Sequence, residues 1–198
     1  MTYESMTLTS EGVKKQTFFQ ERFIRDKNVV WSERIVPNAA PHNHQDSNEH
    51  EHEHEHELNF ATAGKWISKD ANNQIKFAFV RSQEKKIIQP RASEYGTLGF
   101  NGEWETAYYL VNRASLQKMT KAKPGNLPGT YWFEEKSKTL QTKILWDETR
   151  ELLLTIETSR LDGTMSNKIT LAIVAPPREL PWTRLSQYQT VAYEDLLD

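Results

Sequence analysis

The sequence predicts an α+β protein: a curved antiparallel sheet, open like a half-barrel, packed on one or two short helices. Three observations predict it. Alternating, aromatic and β-branched runs recur through the chain with turn residues between them. Only one passage, residues 103–119, repeats its large side chains at helical spacing. The order is strands, then helix, then strands, which segregates the helices from the sheet. A length of 198 residues fits one domain, 1–198.

The first clear element follows Gly12, where residues 17–25 alternate Thr17, Phe19, Glu21, Phe23 and Arg25 against Phe18, Gln20, Arg22 and Ile24. Asp26-Lys27-Asn28 supplies turn chemistry, and residues 29–36 return as a second strand, so a hairpin is expected. Pro37, Asn38 and Pro41 then break regular structure, and residues 37–57 form an inserted, flexible His/Glu-rich loop. Residues 75–81 and 85–89 read as a second hairpin around Ser82-Gln83-Glu84. Within 103–119, Trp104, Ala107, Tyr108, Val111, Ser115 and Met119 recur at spacings of three and four, and Asn112 divides the passage into two short helices. Residues 131–134, 140–146, 152–158 and 168–174 are read as an antiparallel meander. The last twenty residues, with Pro181, Trp182, Tyr188 and Tyr193, are expected to strap across the surface.

Composition excludes several classes. A hydrophobic fraction of 37% with six Trp, seven Tyr and eight Phe suffices for a core, so disorder of the whole chain is not expected. The longest apolar stretch, residues 169–175, falls far short of the ~20 residues that span a bilayer, so no membrane-spanning helix is expected. Without cysteine there are no disulfides, thiolate metal ligands or cysteine nucleophiles. The N-terminus as written carries no signal peptide. The expected location is periplasmic if a leader has been removed, and cytoplasmic otherwise.

All six histidines lie between His42 and His56. Residues 37–57 hold Asp46 and five glutamates with no Lys or Arg, a charge of −6, while the rest carries 25 basic against 21 acidic residues, or +4. Imidazole is the commonest transition-metal ligand, and Zn²⁺, Ni²⁺ and Cu²⁺ accept carboxylates beside it. In an extended chain His50, His52, His54 and His56 share one face, opposite Glu51, Glu53 and Glu55. In a helix His50/His54 and His52/His56 form i,i+4 pairs. Either geometry offers several nitrogens to one ion, which His42 and His44 join by loop closure. Metal must compete with protons there, because adjacent glutamates favour the imidazolium, so binding is expected to fall in mild acid. The plainer alternative is a low-complexity Glu-His expansion without a role.

Confinement of histidine to the tract removes it as a base for any serine nucleophile elsewhere. His50-Glu51-His52-Glu53-His54 matches H-E-x-x-H by letter, yet it lacks the apolar packing face a zincin helix needs. No catalytic set emerges, and a non-enzymatic protein is expected. Basic residues do not cluster with interleaved aromatics strongly enough for a nucleic-acid interface, and a pI near 6.3 argues against a nucleic-acid partner. Phe19, Phe23, Trp31, Phe77, Phe79, Trp104, Tyr108, Phe133 and Trp146 fill the core in the simplest reading. Alternatively they line a concave apolar cavity that holds a lipid or acyl chain.

A family resemblance bears on that alternative. Phe18-Phe19-Gln20-Glu21-Arg22-Phe23 is followed by Phe77-Ala-Phe-Val-Arg-Ser-Gln-Glu-Lys-Lys-Ile87, a helical passage, Tyr131-Trp-Phe-Glu and Lys143-Ile-Leu-Trp-Asp147. Residues 152–158 and the turn Asp162-Gly163 complete the order. From Gly12 to Val174 the chain resembles the LolA/LolB and RseB-like lipoprotein carriers, whose fold is an unclosed β-barrel wrapped around helices. The motifs are short, no lipobox cysteine is present, and the family does not require a histidine tract. The resemblance implies a periplasmic protein with an apolar cavity. Two functions follow: an envelope protein binding a divalent metal ion through its loop, or a carrier or sensor of lipid or lipoprotein.

Overall fold

The computed structural model describes residues 1–36, 60 and 62–196. Six strands come first: β1 Thr2–Leu8, β2 Lys14–Asp26, β3 Val29–Ile35, β4 Gly64–Lys69, β5 Ile75–Arg81 and β6 Lys86–Gln89. Two helices follow, α1 Trp104–Tyr109 and α2 Arg113–Leu116. Then come β7 Thr120–Pro124, β8 Thr130–Lys136, β9 Leu140–Asp147, β10 Leu152–Arg160, β11 Met165–Thr170 and β12 Gln189–Ala192.

All twelve strands form one sheet, in the order β12-β6-β5-β4-β3-β2-β1-β11-β10-β9-β8-β7. Two antiparallel meanders, β1–β6 and β7–β11, are joined where β1 pairs with β11, Thr2 opposite Thr170. β12 adds in parallel to β6, so the sheet is mixed, and its edges β12 and β7 stay apart.

The α+β expectation is therefore corrected. Helix makes up only 13% of the described residues, which are mostly β, with no helical layer among them against the sheet. The helical spacing over 103–119 is real but broken: Leu110 adopts a left-handed conformation (φ 62°), and the Asn112 side chain caps a new start by accepting the Ser115 N–H. Six and four residues remain, too short to form a layer. Four strands outside the expected hairpins and meander, β1, β4, β7 and β12, supply the difference. The expected strand over 168–174 is also shifted, to Met165–Thr170, because β1 offers no partner beyond Thr2.

Side-chain alternation explains how the sheet is covered. On β5, Phe77 and Phe79 join Val30, Ile67, Ile88 and Phe100 on one face, which residues 95–108 cover with Tyr95, Leu98, Trp104 and Tyr108. Ala78 and Val80 face the other way, with Trp31, Ile87 and Leu185. There a 3-10 helix, Pro181–Gln187, lays Trp182 and Leu185 over the sheet, which is the expected C-terminal strap. A third cluster, Leu116, Phe133, Ile144, Trp146 and Leu153, lies beneath α2 on the second meander. Gly64 is required at the start of β4: a Cβ there would stand 2.5 Å from Trp31 Cζ2.

Candidate functional site

The histidine tract, with His42, His44, His50, His52, His54, His56, Glu51, Glu53 and Glu55, lies outside the described residues. Its place in the chain is defined all the same. It connects β3 to β4, which pair directly from Val29↔Ser68 to Ser32↔Lys65. A two-residue turn can join such strands, so the ladder requires nothing that the tract supplies. Among the described residues no group of three or more His, Asp or Glu side chains is arranged to hold a metal.

The nine aromatic residues read as a possible cavity lining are not brought together. Phe77, Phe79, Phe23, Trp104 and Tyr108 belong to the first cluster. Trp31 lies across the sheet in the second, with its indole N–H and that of Trp66 buried and unpartnered. Phe133 and Trp146 belong to the third. Phe19 joins none of them; its ring stacks on Tyr3 at 4.4 Å beneath the Arg34 guanidinium at 4.1 Å.

Phe133 and Trp146 do line an open cleft of about 690 Å³ together with Leu116. Its rim is charged, and those charges are paired. Arg113 donates through Nε and Nη2 to both oxygens of Glu105, at 2.8 and 3.0 Å, and through Nη1 to Glu151 at 2.9 Å. Its hydrogen bond to Glu105 outweighs desolvation and raises the Arg113 pKa further. Glu148 accepts from Lys121 at 2.6 Å. An apolar floor with a self-neutralised rim suits an amphipathic molecule.

Below the cleft, Asp147 ends β9 with its side chain fully buried. Burial works to raise its pKa, but the Arg150 N–H, the Arg150 guanidinium and the Thr149 N–H overcome it and hold the carboxyl below the usual carboxylate range. Nearby, Arg25 ties the two meanders together. Its guanidinium donates to the Tyr108 carbonyl at 3.0 Å and the Arg150 carbonyl at 2.7 Å, and stands 4.8 Å from the Tyr108 ring centre. Arg25→Met is expected to cost about 2 kcal/mol in urea unfolding, the scale of charge-assisted bonds lost from a partly buried site. A loss under 0.5 kcal/mol would show that the tie is not a structural one.

A third feature escaped sequence reasoning. A groove of about 470 Å³ runs between Glu21–Phe23 of β2 and residues 171–174, with Ile35 and Leu152 also on its walls. Its one advance signal was the apolar run Leu171-Ala-Ile-Val, which reads as strand yet has no strand partner on the β1 side.

None of the described helices is long and apolar enough to cross a membrane. No family model and no curated protein matches the chain. Among solved structures, a chain titled PNGF-II is similar over 98% of this chain and 32% of its own length, at 8% identity and a TM-score of 0.32. The present chain thus spans about a third of that one, and a likeness this slight carries no inference.

Proposed function

We propose that the protein is a non-enzymatic binding protein of the bacterial envelope that captures a divalent metal ion through the tract at 42–57. The observation that supports this reading is the confinement of all six histidines to a connection between neighbouring strands, in a fold whose described part uses none. His50, His52, His54 and His56 are the principal donors, assisted by His42, His44 and the carboxylates of Glu51, Glu53 and Glu55. Imidazole with carboxylate suits Zn²⁺, Ni²⁺ or Cu²⁺, and such a tract gives exchangeable rather than structural binding. The lipoprotein-carrier resemblance favours the periplasm as its compartment.

Isothermal titration with the three ions, on the intact protein and on a chain lacking 42–57, tests this. The deletion is expected to weaken binding at least tenfold while changing stability by no more than about 1 kcal/mol, since connection length enters stability only logarithmically. Affinity is expected to fall between pH 7.5 and 5.5, as imidazoles with an ordinary pKa of about 6.5 take up protons. Equal weak binding by both chains would sink the proposal.

A second reading, a carrier or sensor of lipid or lipoprotein, is favoured by the cleft floored by Phe133, Trp146 and Leu116. Native mass spectrometry of protein purified from its own host is expected to show co-purified lipid if this holds. Lipid-free protein argues against it.

A further inference from the structure

We infer that residues 181–196 form a displaceable latch, an internal ligand seated in a peptide-binding groove around β6. It gives way to a partner protein's segment of the same pattern: aromatic-x-x-Leu-x-x-aromatic, then a strand. The 3-10 helix sets Trp182, Leu185 and, just past its end, Tyr188 on one side, because three residues make one turn. That side meets Trp31, Ala78, Val80 and Ile87 on one face of the sheet. β12 then runs parallel to β6, from Gln189↔Lys86 to Ala192↔Gln89. Tyr193 and Leu196 come round to the opposite face, against the cluster that holds Phe79 and Ile88. The segment thus clamps the β6 edge from both faces.

Three features let the latch open without unfolding the body. Residues 175–179, which lead into it, are exposed, and Glu179 bonds only to Thr183 and Arg184, within the latch itself. The fastening is light. Four parallel pairs are slightly weaker than antiparallel ones, a 3-10 helix has poor hydrogen-bond geometry, and Leu185 alone in the latch is buried. The ion pair from Arg91 to Glu194 is exposed and adds little. Closure also forfeits hydrogen bonds. Trp31 and Trp66 are cross-strand partners on the face beneath the latch. Their indole N–H groups are the only buried side-chain donors or acceptors among the described residues that lack a partner. Water reaches such donors when the latch lifts, so the closed state gives back part of what its apolar contacts gain. Elements held this way open as local units, well below the free energy of global unfolding.

The latch itself shows what the groove accepts. Its helical turns lay an apolar stripe on the sheet face, and its strand adds main-chain bonds along β6, two modes by which proteins recognise peptides. Tethered in the same chain, it holds the groove at high effective concentration. A partner's segment therefore binds with an affinity lowered in proportion to the small open fraction. The latch brings no acceptor to the two indoles, so a partner with a carbonyl or carboxamide at that place gains over it.

Fluorescence polarisation of a labelled peptide with the sequence of residues 179–196, against the intact protein, tests displacement. Leu185→Asp loosens the latch and leaves the groove untouched, so it is expected to tighten peptide binding at least tenfold over the parent. Because the chain has no cysteine, Gln189→Cys with Lys86→Cys gives one defined disulfide between paired positions. The oxidised form is expected to bind no peptide, and reduction to restore the parent's affinity. Hydrogen exchange reads opening in the parent without any substitution. The amides of Gln189 and Tyr193, bonded to the Lys85 and Gln89 carbonyls, are expected to exchange at least tenfold faster than those of β5. Equal or weaker binding by Leu185→Asp, binding by the locked form, or latch amides as slow as those of β5 overturns the proposal. So does a dimer of the chain that Leu185→Asp dissolves, which gives the groove to a second copy.

Discussion

Phe77→Ala is expected to lower the unfolding free energy by about 3–5 kcal/mol, read from guanidinium denaturation with an unchanged slope. Phe77 is 1% exposed on a strand whose two faces are both covered. Its ring meets those of Phe79 at 4.9 Å, Phe100 at 5.2 Å and Tyr95 at 5.6 Å. Truncation loses the transfer free energy of the ring and leaves a cavity that β5, pinned between β4 and β6, cannot close by moving. Phe18→Ala, at a side chain 65% exposed, serves as the control and is expected to stay within about 0.5 kcal/mol. The outcome also bears on function. A phenylalanine lining a lipid cavity is freed of packing when the lipid is absent, so its removal from lipid-free protein costs little. A loss below about 1 kcal/mol in lipid-free protein would overturn the assignment of Phe77 to a filled core.

Legibility in the sequence followed burial. The runs that became β3, β5, β8, β9 and β10 were readable because each buries side chains on at least one face, whereas β2 was readable by its alternation although none of its residues is buried. β1, Thr-Tyr-Glu-Ser-Met-Thr-Leu, has no apolar rhythm, since neither face is fully covered and its place is set by pairing with β2 and β11. β7 is exposed throughout and ends in Pro124, which an edge strand tolerates. β12 exists because residues 181–187 carry the chain back to β6, a long-range event that no local pattern encodes. Stereochemistry at Leu110, a left-handed residue without the usual glycine, hid the break in the helical passage. The histidine tract was legible as composition, and the structure adds that its two stems are neighbours in the sheet. The groove beside β2 was legible only as the apolar run Leu171-Ala-Ile-Val, because its other wall comes from residues about 150 positions earlier in the chain.

Asp147→Ala is expected to cost about 3 kcal/mol, and Asp147→Asn about 1 kcal/mol, in urea unfolding at pH 7. Oδ1 accepts the N–H groups of Thr149 at 3.0 Å and Arg150 at 2.9 Å, and Oδ2 accepts the Arg150 guanidinium at 2.7 Å. Alanine strands both backbone donors in the turn that joins β9 to β10, whereas the amide oxygen of asparagine keeps them. The ion pair itself contributes little, because Arg150 is well exposed and stays hydrated without its partner. The pH dependence follows from the direction of the shift. Asp147 is held below the ordinary carboxylate range, so the folded state binds its proton less readily than the unfolded chain, whose value is near 3.9. Its charge therefore contributes fully above about pH 5, and that contribution fades as pH falls through 3.9 toward the lower folded-state value. The stability gap between the parent and Asp147→Asn is expected to stay constant from pH 7 to 5 and to shrink at pH 3. Asp162 and Glu179, the latter lowered to about 2 chiefly by its hydrogen bond from Arg184, titrate alike in both proteins and cancel from the difference. A gap that widens toward acid would mean that burial prevails at Asp147 and that the folded state holds its carboxyl protonated.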